Sequence, residues 1–434
     1  MAETNVSNGT ISDGATVNLT RAATLDVTGG DVTLNSGDTW NGTTNVSGGS
    51  LALVGMTKNT SGILNQTSGT TTVTGSGFDL NNGSDLISGG TFNVGSSSNN
   101  GTVNVSQGTI TATTALNVND NSSLNVNGGH VGYGANSNWS GTINVTSGDL
   151  DIHSSKNASG KLSQTGGTTT IYSNNFDLNN ISDSVTGGTL NIGDGTNNGN
   201  LHASLGTVGT GSNVAIHNNS TLTVEGGNVT LDGNDNWKGN VSVTSGTLNL
   251  SSSEKNESGT LTQTGGTTNV TGTNFDLNNA NDNLNGGTLN IGSSSGRTAT
   301  GATMGVSKGT VGQSTNVNLI SASTLNLTGG NILLDDSDVW AGNINVKDGS
   351  LALIGVTDKT GILNQTGGST TVLDSGFDLN NSSDSLTGGT LNVGDGNTNA
   401  NMHVSYGTVD SGANVILHER STITLEGGNV TLDN

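Results

Sequence analysis

The chain has 434 residues, of which 29% are apolar and 3% aromatic, and it contains no cysteine and no proline. Lys and Arg total 11 against 33 Asp and Glu, a formal net charge of −22. The missing cysteines exclude disulfides, zinc ribbons and thiol catalysis, and the scarcity of cations argues against nucleic acid or an anionic membrane as a partner.

Low hydrophobicity with high net charge also describes disordered chains. Periodicity argues otherwise from the first residues onward. Ile11, then Val17 and Leu19, then Leu25 and Val27 lead to a glycine corner at Gly30, and Val32 and Leu34 follow it. Apolar residues at every second position on both sides of a glycine read as strand, bend, strand. Such corners recur 22 times from Gly9 to Gly428, spaced 18 to 22 residues apart. Each interval carries about three short alternating segments. The expected fold is therefore all-β: a right-handed parallel β-solenoid of about 21 rungs, three short strands per rung, with each strand pairing to its counterparts one rung above and below. At the usual ~4.8 Å between paired strands, that makes a rod roughly 100 Å long. Glycine suits the corners because a sharp bend needs positive φ, and the absence of proline fits a ladder that uses every N–H.

A longer period is superimposed. The only four tryptophans, Trp40, Trp139, Trp237 and Trp340, stand 99, 98 and 103 residues apart, and Phe-Asp-Leu-Asn-Asn recurs at Phe78, Phe176, Phe275 and Phe377. The chain is expected to be one continuous solenoid, residues 1–434, of four repeats of five unlike rungs, with unit boundaries near Gly30, Gly129, Gly227, Gly330 and Gly428. Its N-terminus has no signal-peptide pattern and its last residues follow a corner without an atypical capping turn, so a longer precursor is expected. No apolar run approaches the ~18 residues of a membrane helix, so direct membrane insertion is not expected.

Three sets of residues stand out as candidate sites. In the third rung of each unit Gln66, Gln164, Gln263 and Gln365 take an inward position that is apolar elsewhere, and in the fourth Asp85, Asp183, Asp282 and Asp384 do the same. Inward polar groups need partners. One reading is a calcium or ligand site repeated four times. The other is structural, with Asp capping a shortened Asn-Asn turn and Gln bonding to corner carbonyls in a polar core. The four tryptophans form the third set: either exposed platforms stacking on sugars, or core residues held by neighbouring turns such as Asp38 and Gly42.

Other features carry less. Gly193-Asp194-Gly195 and Gly394-Asp395-Gly396 resemble a fragment of calcium-binding nonapeptide repeats, but the nine-residue period is missing and the segments read as loops. Threonine clusters such as Thr70-Thr71-Thr72 raise an ice-binding ladder, yet they occupy one rung in five. The six histidines do not share one place in the unit, and no catalytic residue is identified.

The segments Ser-Gly-Gly-Thr-Phe-Asn-Val-Gly (88–95), Thr-Gly-Gly-Thr-Leu-Asn-Ile-Gly (186–193), Asn-Gly-Gly-Thr-Leu-Asn-Ile-Gly (285–292) and Thr-Gly-Gly-Thr-Leu-Asn-Val-Gly (387–394) are similar in style to the strand repeats of large bacterial surface proteins. The resemblance is to autotransporter passengers and filamentous-haemagglutinin-like adhesins. It implies an extracellular, non-enzymatic rod at the bacterial cell surface that holds a tip outward, adheres, or joins a biofilm matrix. The partners it implies are surface glycans or proteins, or further copies associating end to end. A carbohydrate-binding array and a self-assembling filament are the alternatives.

Overall fold

A computed structural model of the chain describes residues 2–273, 275–295, 298–357 and 359–432. Every regular element among them is a β-strand, so no helix is available to cross a membrane. Parallel strands stack as a β-solenoid of about 20 turns, arranged in two compact units, Met1–Thr221 and Leu222–Asn434.

The alternation read from the sequence is the alternation of burial. In the first unit, Thr24–Asn35 runs through its glycine corner as one bent strand, with Leu25, Val27, Val32 and Leu34 at most 2% exposed. It pairs in parallel with Thr43–Val54, so that Val27 lies over Val46, Val32 over Leu51 and Leu34 over Leu53. In the second unit Thr324–Asp335 and Asn343–Ile354 repeat this, with Leu327 over Val346 and Ile332 over Leu351. Two of the three strands expected per rung are thus fused through the corner here. The third is a two-residue piece such as Thr39–Trp40. Stacking like on like buries each apolar side chain between its equivalents, which stabilises by roughly 25 cal/mol per Å² removed from water.

Outward side chains form their own ladders. Asn228, Asn249, Asn269, Asn290 and Asn318 are linked in series, each amide donating to the carbonyl oxygen of the one before at 2.7–2.8 Å. Asn104, Asn125 and Asn144 do the same in the first unit at 2.8 Å. Such stacked amides are the side-chain counterpart of the backbone ladder.

The reason for glycine at the corners needs correction. Positive φ is real at Gly49 (64°) and Gly148 (76°). At Gly30 φ is not in that region, and crowding is the cause: a Cβ there would lie 2.2 Å from the carbonyl oxygen of Gly9 in the preceding rung. One departure from parallel pairing occurs in the second unit, where Ser293–Ser295 and Thr298–Thr300 pair antiparallel as a small hairpin.

Candidate functional site

The Asn-Asn segment leaves the strand pattern because Asp85 folds it into a turn. Its Oδ2 accepts the Asn82 N–H at 3.0 Å, and its Oδ1 accepts the Leu64 N–H of the preceding rung at 2.8 Å. Asp183, Asp282 and Asp384 do the same with Asn180 and Leu162, Asn279 and Leu261, and Asn381 and Leu363, all at 2.7–3.0 Å.

Each carboxylate meets a cation that the sequence reading did not single out. Lys58, Lys156, Lys255 and Lys359 place Nζ 2.9, 2.9, 2.9 and 2.7 Å from Asp85, Asp183, Asp282 and Asp384, and these side chains are at most 1% exposed. The aspartates offered above as calcium ligands thus face an ammonium beside Oδ2. Each Nζ also donates to a backbone carbonyl (Gly62, Gly160, Gly259 or Gly361) at 3.0–3.2 Å. Its third donor faces Oδ1 of Asn81, Asn179, Asn278 or Asn380 at 2.6, 2.5, 2.5 and 3.4 Å. An ammonium has three donors, and all are engaged.

The tryptophans wall this site from inside. Trp40, Trp139, Trp237 and Trp340 are 1, 0, 1 and 3% exposed, so none presents a face on which a sugar could stack. The sequence left them open because Asn138–Trp139 and its equivalents are strands of two residues, too short to show alternation. Each indole N–H donates at 3.1 Å to the carbonyl of the glycine two residues on, which satisfies its one polar group. Each ring lies 5.9–6.2 Å from the phenylalanine of Phe-Asp-Leu-Asn-Asn. Lys359 Nζ sits 5.4 Å from the Trp340 centroid and 5.8 Å from that of Phe377, within cation–π range. Burial holds the four lysines below the ordinary lysine pKa and pushes Asp85 and Asp183 above the usual carboxylate range; the facing charge opposes each shift without cancelling it.

The first Asp of the phrase has a separate task. Asp79, Asp177, Asp276 and Asp378 each accept the hydroxyl of a serine one rung later (Ser106, Ser204, Ser307, Ser405) at 2.6–2.8 Å. Gln66, Gln164, Gln263 and Gln365 are 0% exposed, and each Nε2 donates to two carbonyls at the next corner, Gly89 and Thr91 in the case of Gln66, at 2.8–3.1 Å. Two residues past each glutamine's corner glycine, Thr71, Thr169, Thr268 or Thr370 turns inward and is fully buried, so one hydroxyl of each threonine cluster does not face solvent. Asp194 and Asp395, in the Gly-Asp-Gly loops, accept two local backbone N–H groups each at 2.6–2.8 Å, which pulls their pKa down.

The structure thus gathers Trp, Lys, Asn, Asp and Phe into one buried cluster per repeat and places Gln and Thr at another corner of the core. No known family model matches the chain, and no curated protein sequence matches it.

Proposed function

We propose that this chain is a structural, non-enzymatic stretch of an extracellular bacterial surface protein, an adhesin or fibre of the kind its repeats resemble. One observation carries the reading: the Trp, Phe, Lys and Asp that recur in all four repeats are buried and engaged with one another. A repeated binding array would instead present its recurring residues outward. A spacer acts through its length, and repeats of this kind add length without adding a new core.

Sedimentation velocity tests it. A spacer has a frictional ratio well above that of a compact particle, and the ratio falls when one repeat, residues 31–129, is excised. A compact frictional ratio for the full chain overturns the reading.

A further inference from the structure

In each cluster a primary amine, a carboxamide and a carboxyl group meet in a pocket closed by two aromatic rings. The three groups come from two successive rungs: Lys58 from one, Asn81 and Asp85 from the next. The carboxamide is oriented, since Asn81, Asn278 and Asn380 donate Nδ2 to the backbone carbonyl of the same lysine at 3.1, 2.9 and 2.8 Å, which turns the amide oxygen toward Nζ. An ion pair needs only the lysine and the aspartate. The third partner, always the first Asn of Asn-Asn and always within hydrogen-bond distance of Nζ, makes the arrangement a reactant set.

We propose that in each repeat the lysine amine attacks Cγ of the facing asparagine, joining Lys58 to Asn81, Lys156 to Asn179, Lys255 to Asn278 and Lys359 to Asn380 through side-chain amide bonds. The reaction is an amide exchange with no oxidant or reductant. The Nζ lone pair forms a bond to Cγ while the aspartic acid proton is donated to Oδ1 as the tetrahedral centre forms. The Cγ–Nδ2 bond then breaks, Nδ2 leaves as ammonia, and Oδ1 returns its proton to the aspartate as the carbonyl re-forms. Of the two protons on the neutral amine, one stays on the new amide and one departs with ammonia, relayed by the aspartate as general base and then general acid. The nucleophile must be uncharged, and a dry aromatic pocket favours the state in which the proton has moved from lysine to aspartate. Burial displaces the lysines downward and Asp85 and Asp183 upward, the directions this transfer requires. The product is a covalent bolt between neighbouring rungs, once per repeat, in a chain that has no cysteine with which to make one.

Intact mass spectrometry of the denatured full-length chain tests the proposal. Each bond removes one ammonia, so the expected mass is below the sequence mass by about 17 Da per bond and about 68 Da for four. Tryptic digestion should yield a branched peptide containing Lys156 and Asn179, with no cleavage after Lys156. In the Lys156→Arg variant, whose guanidinium cannot attack, the deficit should drop by one ammonia. A wild-type mass equal to the sequence mass after days at neutral pH overturns the proposal. So does a deficit that persists undiminished in Lys156→Arg, because it would report cyclisation of an asparagine on its own backbone.

Discussion

Two corners of each repeat bury polar side chains, and they do so on different terms. At one, Lys156 has all three donors engaged and Asp183 accepts two backbone N–H groups besides the ammonium. At the other, Gln164 satisfies both its donors, but its Oε1 has no hydrogen-bond partner among the described protein groups, and neither has Oγ1 of Thr169. The same contrast holds in all four repeats: the Oε1 and Oγ1 of Gln66 and Thr71, Gln263 and Thr268, and Gln365 and Thr370 are likewise without partners. The difference follows from magnitude. An unpaired buried charge costs several kcal/mol, whereas an unpaired neutral acceptor costs about 1–3. Charge forces completeness, and a neutral amide tolerates a shortfall that the surrounding stack of Val and Leu can offset.

The sharpest way to break the comparison is to unbalance the charged corner. Asp183→Ala removes the counter-ion of Lys156 and leaves the Leu162 and Asn180 N–H groups without an acceptor. The expected loss is about 3–5 kcal/mol, the range for breaking a buried pair by deleting one partner. Because neighbouring repeats can stay folded, the local readout is Trp139: acrylamide, which a buried indole resists, should quench it at lower denaturant than in the parent chain. A change below 1 kcal/mol would mean that the pair is not the keystone of its rung.

The neutral corner should give less. Gln164→Leu keeps the bulk and removes a side chain with an unpartnered acceptor, but it strands the carbonyls of Gly187 and Thr189, which Nε2 now serves. A cost of about 1–3 kcal/mol is expected from equilibrium denaturation, smaller than for Asp183→Ala. Equal losses at both corners would erase the distinction between charged and neutral burial.

The ease with which these features could be read from the sequence follows local regularity. Val27, Leu34, Val126 and their kin sit in strands long enough to alternate, so period two exposed the fold directly. Asp85 and Gln66 were visible as polar residues in apolar slots. The lysines were not, since they lie in bends with no period and their preceding residues vary: Met-Thr in the first repeat, Ser-Ser in the second, Ser-Glu in the third and Thr-Asp in the fourth. A usable signal existed in composition. Only 11 cations occur in the chain, and four of them fall once per repeat, one rung after each Trp and one before each inward Asp. Asking which cation could neutralise that Asp would have found them. The burial of Trp was illegible for a different reason, since a two-residue strand between turns has no phase.

Thr169 offers the finest test, because there the shortfall can be removed without stranding any partner. Its side chain is 0% exposed, stacked in register between Leu150 below and Leu190 above, and its hydroxyl makes no hydrogen bond to a described group. Thr169→Val replaces that hydroxyl with a methyl group of nearly the same size, keeps the β-branch that suits a strand, and matches the apolar neighbours. Ordinarily Thr to Val is not a neutral exchange, because the hydroxyl is bonded. Here the desolvation cost of an unpaired hydroxyl is relieved, and a gain of up to about 1–2 kcal/mol is expected, seen as a higher denaturation midpoint with an unchanged slope. The gain should persist in Gln164→Leu if the two unmet oxygens are independent. If Thr169→Val instead destabilises, the hydroxyl and Gln164 Oε1 share a partner between them, and the neutral corner is as completely bonded as the charged one.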